Sequence, residues 1–294
     1  MSAAVIGQTL IDGILVGGVY STIAIGLSLA FGLMRIMNWA HGEFLMVAMY
    51  IAFETVIQFG IDPYLSLLIT APIMFLIGFF LQKVIFNRML DKDSSREPLS
   101  ILLFTAGLGI FLSNIAQVIF TSKSIAVNTK YTSTTIKLGS IIISKPKLIS
   151  FVIAMIVTLI LYIIIQRTEF GRALRATAQN RQVAQLMGIN HKMIYALAFG
   201  IGLAITGLSG SLLVPNASVY PTVGNTYSNK CFIIVVLGGK GSIPGCLIGG
   251  ILIGLIEKFG ALFWTEAYAQ VVVFALFILT LLFRPSGLMG KEST

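Results

Sequence analysis

The sequence predicts an all-α fold, a polytopic membrane helix bundle of eight or nine spans, and three observations carry that prediction. The chain is 56% hydrophobic and only 11% charged, with a mean hydropathy of +0.94. A soluble domain has about a quarter of its residues charged, so this chain lacks the polar surface that water requires. Its charges also leave long neutral runs, at 13–34, 63–82, 98–122, 148–166, 193–229, 241–256 and 267–283. A span takes about 20 mostly apolar residues, within a range near 17–25. Five runs meet that length, 267–283 is at its lower edge, 241–256 is short, and 193–229 must contain a turn. Finally, the Lys and Arg residues behind the net charge of +9 fall in loops and at span ends, which argues against a nucleic-acid-binding face.

Taken in order, span 1 is expected at about 10–33 and span 2 at about 39–58, followed by the turn "QFGIDP". The start of the chain, "MSAAVIGQTLIDG", has no Lys or Arg and no cleavage pattern, so no signal peptide is expected. Asp62-Pro63 opens span 3, about 64–82; "NRMLDKDSSREP" reads as a charged loop, and Pro98 starts span 4, about 99–120. The polar stretch 121–147, an extracytoplasmic loop in this reading, has room for a small hairpin. Span 5 is 148–165, a second polar segment occupies 167–192, span 6 is about 193–214, and "VPNASVYPTVGNTYSN" reads as a turn.

The next stretch, "KCFIIVVLGGKGSIPGCLIGGILIGLIEKF", is too long for one span and short for two. "GGKG" divides it into about 230–237 and 243–257. Irregular backbone at membrane depth must be covered by protein or line a wet cavity, so a broken, short-helix hairpin is expected near 230–257. The last span, about 267–283, stops at "RPSG". Cys231 and Cys246 lie in or beside apolar segments and read as packing residues. With nine crossings and the C-terminus inside, thirteen Lys and Arg fall on the inner side and seven on the outer, which favours that orientation. The loop 121–147, with five lysines and no acid, taken alone votes the other way.

Glycines in "GSIPGCLIGGILIG" form rows: Gly241, Gly245 and Gly249 are four apart, as are Gly250 and Gly254. Residues four apart share a helix face, so these rows let a second helix backbone approach where lipid offers no hydrophobic drive for association. Ser242 is placed to cap that helix, with Pro244 in its first turn.

In "NWAHGEFLMVAMY", residues 38–50, Asn38 is placed to cap a helix by accepting from the backbone N–H groups at 40 and 41. His41, Gly42 and Glu43 then fall in its first turn, where a carboxylate is electrostatically favoured. A second reading stands beside that one: the polar groups line a route or brace a gate, because such groups are expensive at membrane depth. Glu43 and Glu54 are eleven positions apart, about three helical turns, and share a face with Val47 and Tyr50. A stripe with an acid near each end is expected to face the bundle interior or water. An enzyme is not expected, since the chain has two distant histidines and no HExxH, CxxC, GxSxG, GxxxxGK[ST] or GxGxxG.

Residues 166–194, "QRTEFGRALRATAQNRQVAQLMGINHKMI", are too polar to span but carry helical patterning. Phe170, Leu174 and Ala178 recur at four, as do Val183 and Met187, with Arg172, Arg175, Gln179 and Arg181 on the polar sides. Asn180 is placed to cap a second short helix, Gly188 to end it, and Asn190 to cap span 6. Two short amphipathic helices suit either the lipid surface or a groove on a soluble partner. The chain has no nucleotide-binding motif, so an active pump would borrow its motor and dock it here. A channel or a cation-coupled carrier remains the alternative, the latter because such carriers use broken helices.

Four separated pieces then resemble one family: "NWAHGEFLMVAMY" (38–50), "FGRALRATAQNRQVAQLMGIN" (170–190), "VLGGKGSIPGCLIGGILIGLIE" (236–257) and "LLFRPSGLMG" (281–290). In this order they are similar to the LivH-type permease of bacterial high-affinity branched-chain amino-acid ABC transporters. The resemblance implies one multi-pass permease domain in the cytoplasmic (inner) membrane, surrounded by lipid. It implies a second homologous permease, two cytoplasmic ATPase subunits that hold ATP and Mg2+, and an extracytoplasmic binding protein that delivers leucine, isoleucine or valine. This chain itself would bind no cofactor or metal. The family's coupling segment carries over onto Gly171, Arg172, Arg175, Ala184, Gly188 and Asn190, and its helix-start motif onto Asn38, His41 and Gly42. Two departures are Ala48-Met49 where members often have Gly-Ala, and a loop at 121–147 without a familiar signature. Urea and short-amide importers share much of the pattern, so they stand as the alternative cargo.

Overall fold

Neutral runs of this length fold as helices because, away from water, the helix alone satisfies every backbone group within one segment. The computed structural model describes residues 3–34, 37–90, 97–127, 134–139, 141–263, 265–284 and 286–290. Arg35, Lys92, Arg96, Lys130 and Lys291, five of the charges in the sidedness argument, lie outside the described residues. The helices are α1 (Ala3–Met34), α2 (His41–Phe59), α3 (Leu67–Leu81), α4 (Asn87–Leu90), α5 (Glu97–Phe120), α6 (Lys145–Arg167), α7 (Glu169–Gln179) and α8 (Arg181–Leu186). They continue with α9 (His191–Leu213), α10 (Val223–Gly238), α11 (Ile243–Phe263) and α12 (Glu266–Phe283). Among the described residues, seven helical segments are long and apolar enough to cross a membrane, and Ala267–Phe283 is a shorter apolar one.

The core lies along α1, whose Ile23, Ala24, Ile25 and Leu27 are almost wholly buried, with α6, α9, α10 and α11 packed around it. A second cluster joins α2, α3, α5 and α9 through Phe44, Met74, Ile101 and Phe199. The expected hairpin is present: β1 (Thr135–Leu138) pairs antiparallel with β2 (Ile141–Ser144), Thr135 opposite Ser144. Gln8 holds it to α1, accepting from the Ile142 N–H at 2.8 Å and donating to the Ile142 carbonyl at 2.6 Å. Lys147 anchors the same end by its ion pair with Asp12, at 3.0 Å.

Three boundaries differ from expectation, each for a visible reason. α3 does not stop at 82 but passes through a π-turn, Gln82–Phe86, into α4. Gln82 Nε2 donates to Asn87 Oδ1 at 3.1 Å across that turn, and the Lys83 ammonium lies 5.5 Å from the Phe79 ring centroid. α11 runs through Glu257 and Lys258 to Phe263, so the second half of the broken pair is a full-length helix rather than a short one. α10 starts at Val223 rather than near 230, inside the stretch read as a turn. The break itself falls at "GGKG": α10 ends at Gly238, Gly239 and Gly241 have φ of 101° and 78°, and α11 begins at Ile243.

The segment ahead of α10 descends into the bundle without helical structure. Asn216 donates to Ser150 Oγ at 2.9 Å, Val219 forms an isolated bridge with Ile125, and Ser113 donates to the Pro221 carbonyl at 3.0 Å. Gly224 then reaches Glu43, and Gly109 of α5 lies against the same Glu43 side chain. Ser113 and Gly109 are one turn apart on α5, so the contact at Glu43 lies about a turn deeper than the one at Pro221. α10 therefore begins beside the first turn of α2. About 26 Å of α2 separates that point, at Gly42, from Phe59. At its other end α10 is closed by the tail of the chain. The Leu288 and Met289 N–H groups donate to the carbonyls of Leu237 (2.8 Å) and Gly238 (3.1 Å). A Cβ at Gly239 would strike the Gly290 backbone.

Candidate functional site

The start of α2 is held from three sides. Asn38 is buried and its Oδ1 accepts the Ala40 N–H at 3.1 Å. It does not take the second N–H expected of it, because the His41 N–H turns to the Asn38 carbonyl (3.4 Å) and Ala40 becomes the cap position. His41 Nε2 donates to the Ile23 carbonyl of α1 at 3.1 Å, with Thr206 Oγ1 of α9 at 3.5 Å. The Gly42 N–H donates to Ser228 Oγ of α10 at 2.9 Å, and a Cβ at Gly42 would collide with Gly224. Glu43 is buried between Gly109 and Gly224, and its Oε2 has no hydrogen-bond partner among the described residues. The cluster thus ties α2 to α1, α9 and α10 at one level.

Glu54 is not part of that cluster. It is half-buried, accepts from Gln58 Nε2 at 2.6 Å, and with Val47 and Tyr50 lines an apolar groove of about 480 Å³ between α2, α3 and α5. Tyr50 stacks on Phe120 there with ring centroids 4.0 Å apart. The stripe from Glu43 to Glu54 therefore has a buried end and a half-open end rather than a single environment.

The polar loop 167–192 folds as two short helices whose ends are set by side-chain caps. Thr168 accepts from the Gly171 N–H at 3.2 Å, Asn180 from the N–H groups of Gln182 (3.0 Å) and Val183 (3.1 Å), and Asn190 from that of Met193 (3.2 Å). Gly188, at φ 82°, ends α8. Leu174 and Ala184 are buried, and a Cβ at Gly171 would overlap the Ile165 carbonyl. Arg172 and Arg175 part company. Arg172 is exposed and pairs with exposed Glu169 at 3.5 Å, whereas Arg175 turns inward and donates to the Ile165 carbonyl. The outward face of α8 carries an apolar patch: Val183, Leu186 and Met187 are exposed, Leu186 to 86%, with Gln182 and Gln185 exposed beside them.

The glycine rows of α11 meet two different neighbours. A Cβ at Gly250 would run into Ser21, one at Gly254 into Gly13 and Gly17, and one at Gly241 would press on Gly32, all on α1. Gly245 and Gly249 instead face α10, at Gly238 and Ile234. Ser242 caps α11 by accepting the Gly245 N–H at 3.1 Å.

One site escaped the sequence reading. Lys230, at the edge of the piece expected at about 230–237, sits inside α10, and its ammonium pairs with Glu257 of α11 at 2.8 Å. It also donates to Tyr20 Oη at 3.0 Å, and Tyr20 lies near the middle of the 32-residue α1. The available signal was that Lys230 and Glu257 bound the two apolar pieces of the broken stretch, so neither could reach a surface easily. Among the described residues no three His, Cys, Asp or Glu side chains cluster as metal ligands do.

The comparisons with known proteins agree with this architecture over nearly the whole length. Residues 9–281 match the family model described as branched-chain amino acid transport system / permease component. The chain is 34% identical to the high-affinity branched-chain amino acid transport system permease protein BraD of Pseudomonas aeruginosa, over 97% of this chain and 95% of that protein. It is 32% identical to the permease LivH of Salmonella typhimurium and 31% identical to LivH of Escherichia coli, again over 97% and 95%. No solved structure matches it. With a family model spanning most of the chain and relatives aligned from end to end on a multi-pass helical bundle, the protein belongs to the branched-chain amino-acid transport permease family.

Proposed function

We propose that this chain is the membrane-spanning subunit of an ATP-driven importer of leucine, isoleucine and valine. It forms the translocation path with a second, homologous permease. Two ATPase subunits dock on α7 and α8, and an extracytoplasmic protein delivers the cargo. The end-to-end similarity to permeases named for this transport carries the reading. The exposed apolar face at Val183, Leu186 and Met187, beside the charged Arg172, supports docking of a motor that the chain itself lacks. In this reading Gly171, Arg175, Ala184, Gly188 and Asn190 shape the docking loop, because they pack it or end its helices, while Arg172 meets the partner. Asn38, His41 and Gly42 brace the start of α2, and the glycine rows bring helices into contact.

The test is uptake of radiolabelled leucine by cells expressing the complete transporter, challenged with isoleucine, valine, alanine, glutamate and urea. Competition by isoleucine and valine at low concentration is expected. Urea transport without a leucine signal would overturn the cargo while leaving the importer in place.

A further inference from the structure

Asn225, Thr226 and Asn229 lie on one exposed face of α10, at the helical spacing i, i+1, i+4. Their side chains have no hydrogen-bond partner among the described residues. They are not at the outer water surface, since α10 begins beside the first turn of α2, about a membrane-core's depth from Phe59. Facing lipid, three unpaired polar groups would each cost free energy. The same face borders a cavity of about 190 Å³ that also exposes Lys230 and Glu257, an ion pair joining α10 to α11, with Ile253 on its apolar wall. Charges kept at such depth belong to routes through the membrane more often than to scaffolding.

We propose that this face of α10, with the Lys230–Glu257 pair behind it, is the wall of the passage, and that it takes a small zwitterion with an aliphatic side chain. The inference rests on the transport reading above. The amides of Asn225 and Asn229 replace water around a carboxylate or an ammonium group as it passes. The paired lysine and glutamate present both signs of charge with no net charge, so neither end of a zwitterion is trapped.

The experiment uses the complete transporter in membrane vesicles during turnover. Asn225→Cys, Thr226→Cys and Asn229→Cys are treated with a charged, membrane-impermeant methanethiosulfonate. Native Cys231 and Cys246 are buried and serve as the blank, and Leu159→Cys and Leu279→Cys on exposed apolar faces serve as lipid-side controls. Thiol attack needs the thiolate and therefore water, so the α10 positions are expected to react about tenfold or more faster than the controls. Modification should lower uptake by a similar factor, and saturating leucine should slow it. Thr226→Cys nearly conserves volume, which keeps the test valid if an asparagine variant fails to assemble. Reaction at the control rate would put the face against lipid or in a dry contact with the second permease, and would overturn the proposal. Fast labelling in a transporter that carries urea but not leucine would instead remove the zwitterion and leave the passage.

Discussion

α10 and α11 are consecutive helices separated only by residues 239–242, yet they meet the bundle in opposite ways. α11 lies along α1 with glycines at the crossing points, Gly250 on Ser21 and Gly254 on Gly13 and Gly17, so the two backbones come into close contact. α10 buries one face along its length, through Cys231, Ile234 and Val235, but carries the Lys230 tie and leaves Asn225, Thr226 and Asn229 uncovered on the other. Dispersion between closely packed backbones holds the first arrangement, because lipid tails compete for any apolar surface but cannot reproduce that fit. The second adds a charged tie to its packed face and keeps an open flank. A transporter needs both kinds of contact: a seam that stays fixed and a wall that water and cargo reach.

The largest expected effect comes from breaking the seam. Gly250→Leu puts a side chain where Ser21 already stands, backbone included. Overpacking costs about 1–3 kcal/mol in ordinary cores, and here neither backbone can withdraw, so loss of monodisperse permease on size-exclusion chromatography is expected. Gly249→Ala is the contrast, since a Cβ there meets the Ile234 carbonyl at 3.1 Å and asks for a shift of a few tenths of an ångström. Equal yields from both variants would erase the distinction between the two helices.

A smaller effect is expected at the polar tie. Lys230→Met leaves Glu257 with Tyr20 Oη, at 3.4 Å, as its sole side-chain partner among the described residues, and should lower the melting temperature in detergent. The loss should be at most about 3 kcal/mol, the lower end for a broken buried pair, because both side chains keep some exposure. Lys230→Met combined with Glu257→Met should recover most of it, since no unpaired charge remains. If the double variant is as unstable as the single one, packing rather than charge holds α10 to α11.

The smallest effect on the fold is expected where neither region is touched. Arg172→Glu with Leu186→Glu alters two exposed side chains and should leave thermal stability unchanged. ATPase binding should weaken roughly tenfold, with hydrolysis uncoupled from uptake, as when a contact centre is lost from a protein interface. Unchanged binding would move the docking site off α8. Arg175 is left out of this variant because its guanidinium serves the Ile165 carbonyl and its loss would disturb α6 as well.

What was legible in the sequence follows the same divide. Charge-free runs located α1, α3, α5, α6 and α9, because exclusion of charge over about 20 residues has one structural meaning, whereas α11 was cut short at Glu257, which it in fact runs through. Asn180, Gly188, Asn190 and Ser242 were placed correctly as helix ends, since capping is local chemistry. α10 was misjudged because Asn225, Thr226, Ser228 and Asn229 look like turn residues in isolation. They are helical because Ser228 is spent on the Gly42 N–H and Gly224 on contact with Gly42 and Glu43, partners some 180 positions earlier. The Lys230–Glu257 pair was missed for a related reason, since a charge beside an apolar run reads as the run's edge. Arg175 and Arg172 have the same local pattern, and only the third dimension separates an inward arginine from an outward one.

The closure of α10 by residues 288 and 289 has a consequence for biosynthesis. The carbonyls of Leu237 and Gly238 obtain those donors from residues about fifty positions later, beyond α12. This helix terminus therefore gains its lid only after α12 has been made and placed, so the helix beside the cavity is locked later than its own synthesis. A chain truncated before Leu288 would leave both carbonyls without these donors.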